Sequence, residues 1–371
     1  MRDDRDEVKE LLKSRIEDLC ARLLPDGRRQ GRLWVSYNPV TNDFDRSTPE
    51  LKVALTMDVG AWKDWRSGDK GDVLKLIEYV KGHTSFRDTM AWARDFLGLS
   101  SMPAAERERL NADARRMKRQ RDDSAERKRL FKIFKAEEKF LSGEAFGGRS
   151  VAELHARRYF AGRKCALEDV PNIDTATFRF AGESEYWTRA EYRHAVGGPR
   201  YKIKDGPKFP AIHSAMRAPG GLVTACHVTF LDPVIPKKIS LEDANAKLIF
   251  GEAKGSVIRI SHGPENVPPE VGKEEHPLIV CEGIETGLSL AIACPSARVW
   301  AAGSLSNMGN VPVFLDCIPS VIVARDNNHG NRQAEAQLEG VLEQLASHGK
   351  PMTVIASHVG DDFNDLAQGE E

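Results

Sequence analysis

The residues best suited to chemistry in this chain are acids that follow short apolar runs. In Pro277-Leu-Ile-Val-Cys-Glu282-Gly283, positions 278 to 281 are apolar without alternation. That pattern predicts a strand buried on both faces, with Glu282 leaving its carboxyl end. Thr286, Leu288, Ala291 and Ile292 then keep helical spacing. Glu282 therefore falls on a strand-to-helix turn, the place where open α/β sheets bind ligands. Taken alone, such an acid has a second reading as a residue that compensates a helix dipole. Two further stretches repeat the arrangement: Val321-Ile-Val-Ala-Arg325 runs into Asp326-Asn-Asn-His-Gly330, and Met352-Thr-Val-Ile-Ala356 is followed by Gly360-Asp-Asp-Phe-Asn-Asp-Leu366. Helical spacing at Ala334, Leu338, Val341, Leu342 and Leu345 separates them. The repetition predicts a parallel sheet whose acids converge at one edge. Converging carboxylates repel unless a divalent cation holds them, and oxygen donors suit Mg²⁺ or Mn²⁺.

Glu282-Gly283 after one strand, Asp326-Asn327-Asn328 after another and Gly360-Asp361-Asp362-Phe363-Asn364-Asp365 after a third resemble the Toprim domain of primases and topoisomerases. The likeness is nearest to primases of phages and plasmids and covers about residues 275 to 370. It implies Glu282, Asp326 and Asp362 as catalytic residues and Glu282, Asp326, Asn328 and Asp362 as metal ligands. Glu282 is either a ligand or a general base. Asp361 and Asp365 are second candidates, as outer-sphere ligands or as a cap of the last helix. The family usually has a second acid where this chain has Asn328. An amide coordinates through oxygen but brings no charge, so weaker metal affinity is expected and a second ion is left open.

The elements that position these acids come from a chain of near-neutral charge: Lys plus Arg number 54 against 55 Asp plus Glu. No global basic field points to nucleic acid, so any such binding must be local. The six cysteines form no Cys-x-x-Cys pair and are expected as reduced, buried thiols in a cytoplasmic protein. The charged N-terminus is unlike a signal peptide, and no apolar run reaches membrane-spanning length.

Residues 7 to 24 place Val8, Leu11, Leu12, Ile16, Leu19, Cys20, Leu23 and Leu24 on one helical face. Short strands are expected at 33–37, 52–57 and 60–65, then helices from Gly71-Asp72 and from Ser85. Gly71-Asp72-Val73 and Ser85-Phe86-Arg87 resemble the zinc-ribbon domain that opens primases. The aligned ligand positions fall near Asn38, Thr41, Asp64 and Ser67, none of them Cys or His. No zinc is expected there, its place being taken by packing of Trp34, Trp62 and Trp65. Core packing and stacking on bases are both open to these tryptophans.

Between Ala104 and Lys135 stand twelve Lys or Arg against six Asp or Glu. This predicts a charged helix, either simply solvated or following a phosphate backbone. Beyond it, helix 150–160 and strands near 178–180, 221–231, 246–251 and 256–260 form a small mixed subdomain, with a Gly/Pro-punctuated basic segment over 200–213. Their order resembles the basic subdomain that precedes Toprim in primases. That likeness implies Lys202, Lys204, Lys208, His227, Lys247 and Lys254 as nucleic-acid or nucleotide contacts. Isolated histidines such as His213, His227 and His329 can also be read as acid or base, or as satisfied polar groups.

The expected fold is α/β: a mixed α+β domain over 1–99, a charged helical linker over 100–148, a basic α+β subdomain over 149–272 and a Toprim domain over 273–371 whose mainly parallel sheet is flanked by helices. The expected function is a DNA primase that makes RNA primers on single-stranded DNA from ribonucleoside triphosphates. A Toprim nuclease and a catalytically weakened nucleic-acid-binding adaptor are the alternatives. The chain has no Gly-x-x-x-x-Gly-Lys-Ser/Thr loop, so a separate helicase is the implied partner.

Overall fold

The computed structural model describes residues 2–41, 48–99, 102–195, 200–327 and 331–369. The chain divides into two compact units, 1–127 and 128–371.

The first unit begins with α1 (Arg2–Ser14) and α2 (Ile16–Leu23), so the expected single helix is broken at Arg15. Five short antiparallel strands follow in sequential order: β1 (Arg28–Gln30), β2 (Leu33–Ser36), β3 (Leu51–Ala54), β4 (Trp62–Asp64) and β5 (Lys70–Gly71). Asp72 starts α3 (Val73–Lys81) by accepting from the backbone N–H groups of Leu74 and Lys75, and Gly82 ends it in the left-handed region at φ 65°. Ser85 caps α4 (Phe86–Phe96) through the N–H of Asp88. Val8, Leu12, Leu19, Val53, Leu76 and Ile77 lie in one core. Of the three tryptophans expected to pack in place of zinc, Trp34 lies partly buried against this core. Trp62 is buried, but Trp65 is 62% exposed and lies beneath the Lys63 ammonium. Asn38 donates to Asp64 and, at 2.8 Å, to the Tyr79 hydroxyl, so a polar network stands beside the packed tryptophans.

The charged stretch is one helix of 38 residues, α5 (Ala104–Leu141). In the first unit Asn111 and Arg115 bind Glu7. In the second, Ile133, Ala136 and Phe140 are buried, while Phe131 and Phe134 stay exposed.

The second unit is organised on a ten-stranded sheet. Its elements are β6 (Glu144–Ala145), α6 (Val151–Gly162), β7 (Phe178–Glu185), a separate exposed ribbon of β8 (Glu191–His194) and β9 (Arg200–Lys204), then β10 (Lys208–Arg217), β11 (Val223–Phe230), β12 (Lys247–Gly251) and β13 (Val257–Ser261). Then come β14 (Leu278–Cys281), α7 (Ile284–Ala293), β15 (Arg298–Ala301), α8 (Leu305–Met308), β16 (Val321–Arg325), α9 (Arg332–Ala346), β17 (Met352–Ala356) and α10 (Phe363–Gln368). The main order is β12-β11-β10-β13-β15-β14-β16-β17. β15-β14-β16-β17 are mutually parallel, and β13 joins β15 antiparallel, so one sheet runs through both halves of the unit. β15 was not expected from sequence, because the charge of Arg298 opens an otherwise apolar run. Arg298 is fully buried, and its guanidinium donates to the Val267 carbonyl and pairs with Glu265.

Candidate active site

Each expected acid leaves a parallel strand at its carboxyl end. Glu282 follows β14, Asp326 follows β16, and Asp362 lies in the loop after β17. The loops are tied together by Asn327, whose side chain donates to the carbonyls of Ser357 at 2.8 Å and Gly360 at 3.0 Å. Its backbone N–H donates to the Asp361 carbonyl at 2.7 Å. Asp362 is the N-cap of α10, its side chain accepting from the backbone N–H groups of Asn364 and Asp365, and the Asp365 carboxylate in turn accepts from the Asp361 and Asp362 amides. Asp365 thus takes the capping role among its two sequence readings. Asn364 is fully buried and binds Arg163 and Ser289, which fixes α10 against the end of α6 and the middle of α7.

The acids are electrostatically joined. Burial pushes the Asp326 carboxyl up, and the charges of Glu282 and Asp362 add to it, so that its pKa reaches about 7. Lys247 acts the other way. The Cys281 thiol is driven far above its ordinary value by burial and by the same acids. Asp326 Oδ1 is buried and has no hydrogen-bond partner among the described residues. Such an oxygen, in an all-oxygen donor set, suits a hard divalent cation. Among the described residues, however, no three His, Cys, Asp or Glu side chains are grouped closely enough to hold a metal ion. Asn328 and His329 lie outside the described residues.

The sheet half before the Toprim-like strands closes on this edge. Gly303, which follows β15, donates its N–H to the Glu282 carbonyl at 2.9 Å. Its φ of 78° demands glycine, and a Cβ there would stand 3.3 Å from Met216, 3.5 Å from Ile249 and 3.6 Å from His227. His227 on β11 is buried and neutral, its pKa lowered to about 4 by burial and by Lys247. Lys247 thus acts electrostatically on both Asp326 and His227.

The other expected contacts are engaged by local partners or stand exposed. Lys202 is paired with Glu185 and Asp205, Lys204 with Glu191, and Lys208 with Glu183 at 3.7 Å. Lys254 is exposed in the turn between β12 and β13. His213 is buried against the Ser184 hydroxyl, a satisfied polar group on its Nε2 side.

Three residues of the site escaped sequence reasoning. Glu285, in the first turn of α7, is 6% exposed and accepts from the Tyr159 hydroxyl at 2.5 Å and the Lys238 ammonium at 2.8 Å. Burial opposes its ionisation, but Lys238 and Tyr159 prevail and hold the carboxyl at about 2. The signal available was a second acid three residues after Glu282, in the first turn of the helix expected there.

Residues 277–370 match the family described as the Toprim domain, and residues 145–260 match one described as "Domain of unknown function (DUF7146)". No curated protein matches the chain. Among solved structures, the zinc-binding and RNA polymerase domains of the Aquifex aeolicus primase are similar at 15% identity and a TM-score of 0.38, covering 99% of this chain and 82% of that one. The E. coli primase catalytic core is similar at 15% identity and a TM-score of 0.41, over 65% of this chain and 75% of that one. The primase fragment of the bacteriophage T7 primase-helicase protein is similar at 10% identity and a TM-score of 0.32, over 90% and 96%.

Proposed function

We propose that this Toprim-bearing chain is a DNA primase that makes short RNA primers on single-stranded DNA by divalent-metal-dependent nucleotidyl transfer. The observation that supports the reading is that Glu282, Asp326 and Asp362 each follow a parallel strand within the Toprim match, with the charges of Glu282 and Asp362 raising the Asp326 carboxyl. Glu282, Asp326 and Asp362, with Asn328 two residues after Asp326 in sequence, would hold Mg²⁺ or Mn²⁺ once their side chains turn toward the ion. Such an ion, when bound, lowers the pKa of an attacking hydroxyl and neutralises phosphate charge.

The chain's own residues then divide the remaining work. Asp326, half-buried and with one oxygen unpartnered, supplies the site with a carboxylate that favours a cation over water. Lys247 is a cation already acting on Asp326 and Glu285, and it steadies the phosphates of a ribonucleoside triphosphate. Residues 149–272 guide the template and 273–371 carry the reaction. Residues 1–99 form a zinc-ribbon-like domain without its metal, joined by the charged helical stretch 100–148. Lys202, Lys204 and Lys208 contribute less than Lys247, because acids already neutralise them. The chain works beside a separate helicase.

The test is incubation of the chain with single-stranded DNA, labelled ribonucleotides and Mg²⁺ or Mn²⁺. Short labelled oligomers are expected. Glu282→Gln and Asp326→Asn should each reduce them at least about a hundredfold, since a charge acting in the transition state is worth several kcal/mol. Cleaved DNA in place of oligomers would establish a nuclease, and DNA binding with neither product an adaptor.

A further inference from the structure

We propose that the ribbon of β8 and β9 is an arm that holds single-stranded DNA, with unpaired bases stacking on Tyr192 and Arg200 on one face and on Tyr201 on the other. The primase reading enters only in making that strand the template.

The arm grows out of the main sheet without joining it. It stands between β7 and β10 in the chain, forms a sheet of its own, and is exposed at every residue of both strands. Its root is held firmly. Tyr186 is buried, donates its hydroxyl to the Asn245 carbonyl at 2.9 Å and its N–H to the Pro207 carbonyl at 2.7 Å. Gly206 donates its N–H to Glu185 at 3.0 Å, and a Cβ there would collide with the Tyr186 carbonyl oxygen, so only glycine permits the approach. Lys202 pairs with Glu185 and Asp205, and Lys204 with Glu191. The basic residues nearest the root are therefore already neutralised.

The far end differs. There His194 stands opposite Arg200, Arg193 opposite Tyr201 and Tyr192 opposite Lys202. Side chains alternate along a strand, so Tyr192, His194 and Arg200 share one face and Arg193 and Tyr201 the other. On the first face the Arg200 guanidinium lies 3.9 Å from the Tyr192 ring centroid. Neither Arg193 nor Arg200 makes an ion pair among the described residues. Tyr192 is 37% exposed and Tyr201 50%. Between Trp187 and Gly206 stand five Lys or Arg against two acids, a local excess in a chain whose total charge is −1.

These features select the ligand by shape and by charge. A guanidinium lying on a ring leaves its outer plane open to a second flat partner, and an exposed tyrosine ring does the same. Unpaired arginines beside such planes take phosphates. Flat rings alternating with phosphates are the makeup of a nucleic acid, and a duplex keeps its base faces stacked inside, so a single strand fits the arm. An acidic peptide would satisfy the arginines and leave the rings without partners.

The experiment follows the fluorescence anisotropy of a labelled oligothymidylate of about 20 nucleotides, enough for one site, on the full-length chain. Chelator is present and ribonucleotides are absent, so the acids of the Toprim strands take no part. Tyr192→Leu should weaken binding about tenfold, the worth of one base stacked on a ring, and Tyr192→Phe should retain it. Arg200→Lys keeps the charge and loses the plane, and should weaken binding severalfold, as should Tyr201→Leu. All four side chains are on the surface, and circular dichroism verifies that each variant keeps the fold. Unchanged affinity in Tyr192→Leu overturns the proposal, as does Arg200→Lys with wild-type affinity or a wild-type chain that binds no oligothymidylate. Equal binding of a duplex of the same length, tighter binding of oligouridylate, or equal competition by polyglutamate overturns it as well. A chain that binds through these residues yet makes no oligomers keeps the arm and loses the polymerase reading. Oligomers made by a chain whose DNA affinity ignores Tyr192→Leu do the reverse.

Discussion

Asp326 ties the chemistry of the site to the stability of the chain. Its carboxyl, raised by burial and then by Glu282 and Asp362, titrates near 7 in the metal-free protein, against 3.8 for a free aspartate. Between those values the folded chain keeps a proton that the unfolded chain has released. Stability therefore falls as pH rises through this window. In chelator, the urea midpoint at pH 5 should exceed that at pH 8, by on the order of 2–4 kcal/mol in free energy. Asp326→Asn should flatten the difference, and Mg²⁺ or Mn²⁺ at pH 8 should restore the midpoint. A midpoint in the wild-type chain that does not move across the window would count against the coupling. Glu285 has the opposite sign: its carboxyl is depressed from 4.5 to about 2, so its contribution is present above 4.5 and lost as pH falls below. The three strand-end acids were legible in sequence because each follows an unalternated apolar run, a local pattern. Lys238, Glu285 and Tyr159 were not, since 126 residues separate Tyr159 from its acceptor. Only the folded sheet brings such residues together.

At the scale of elements, Asp362 carries two duties that substitution can separate. As N-cap of α10 it accepts from two backbone amides, and as a charge it belongs to the acidic cluster. Asp362→Ala should cost about 1 kcal/mol of stability through the lost cap. Asp362→Asn keeps a good capping side chain and removes the charge. Its thermal midpoint should match the wild type while primer synthesis drops, and a variant that keeps full activity would remove Asp362 from the reaction. Helix starts of this kind are readable from sequence, since Asp72, Ser85 and Ser150 all cap the helices expected after them. Strand β15 was not readable. The buried guanidinium of Arg298 looks like a surface charge until Glu265 and the Val267 carbonyl close around it. Arg298→Leu should therefore be tolerated better than Glu265→Ala, which leaves a buried charge without its counterion. Urea midpoints of the two variants make that comparison directly.

At the scale of the molecule, the two units have separate apolar cores. Val53, Leu76 and Ile77 belong to one core, Phe180, Ile260 and Val299 to another, and both groups are buried to 0% exposure. The boundary between them falls inside a charged helix, whose composition marked the region in sequence but whose continuity did not show there. Units with independent cores unfold independently unless their interface couples them. Calorimetry on the whole chain should thus show two transitions. Leu76→Ala removes buried methyl groups from the first core and should lower one transition by the equivalent of about 2–5 kcal/mol. The other should stay in place, and Mn²⁺ should raise only that second transition, because the acids all lie in residues 128–371. A single transition that moves with both the substitution and the ligand would mean that the two cores unfold as one. The amino-terminal unit would then be a partner in the stability of the site, and not merely attached to it.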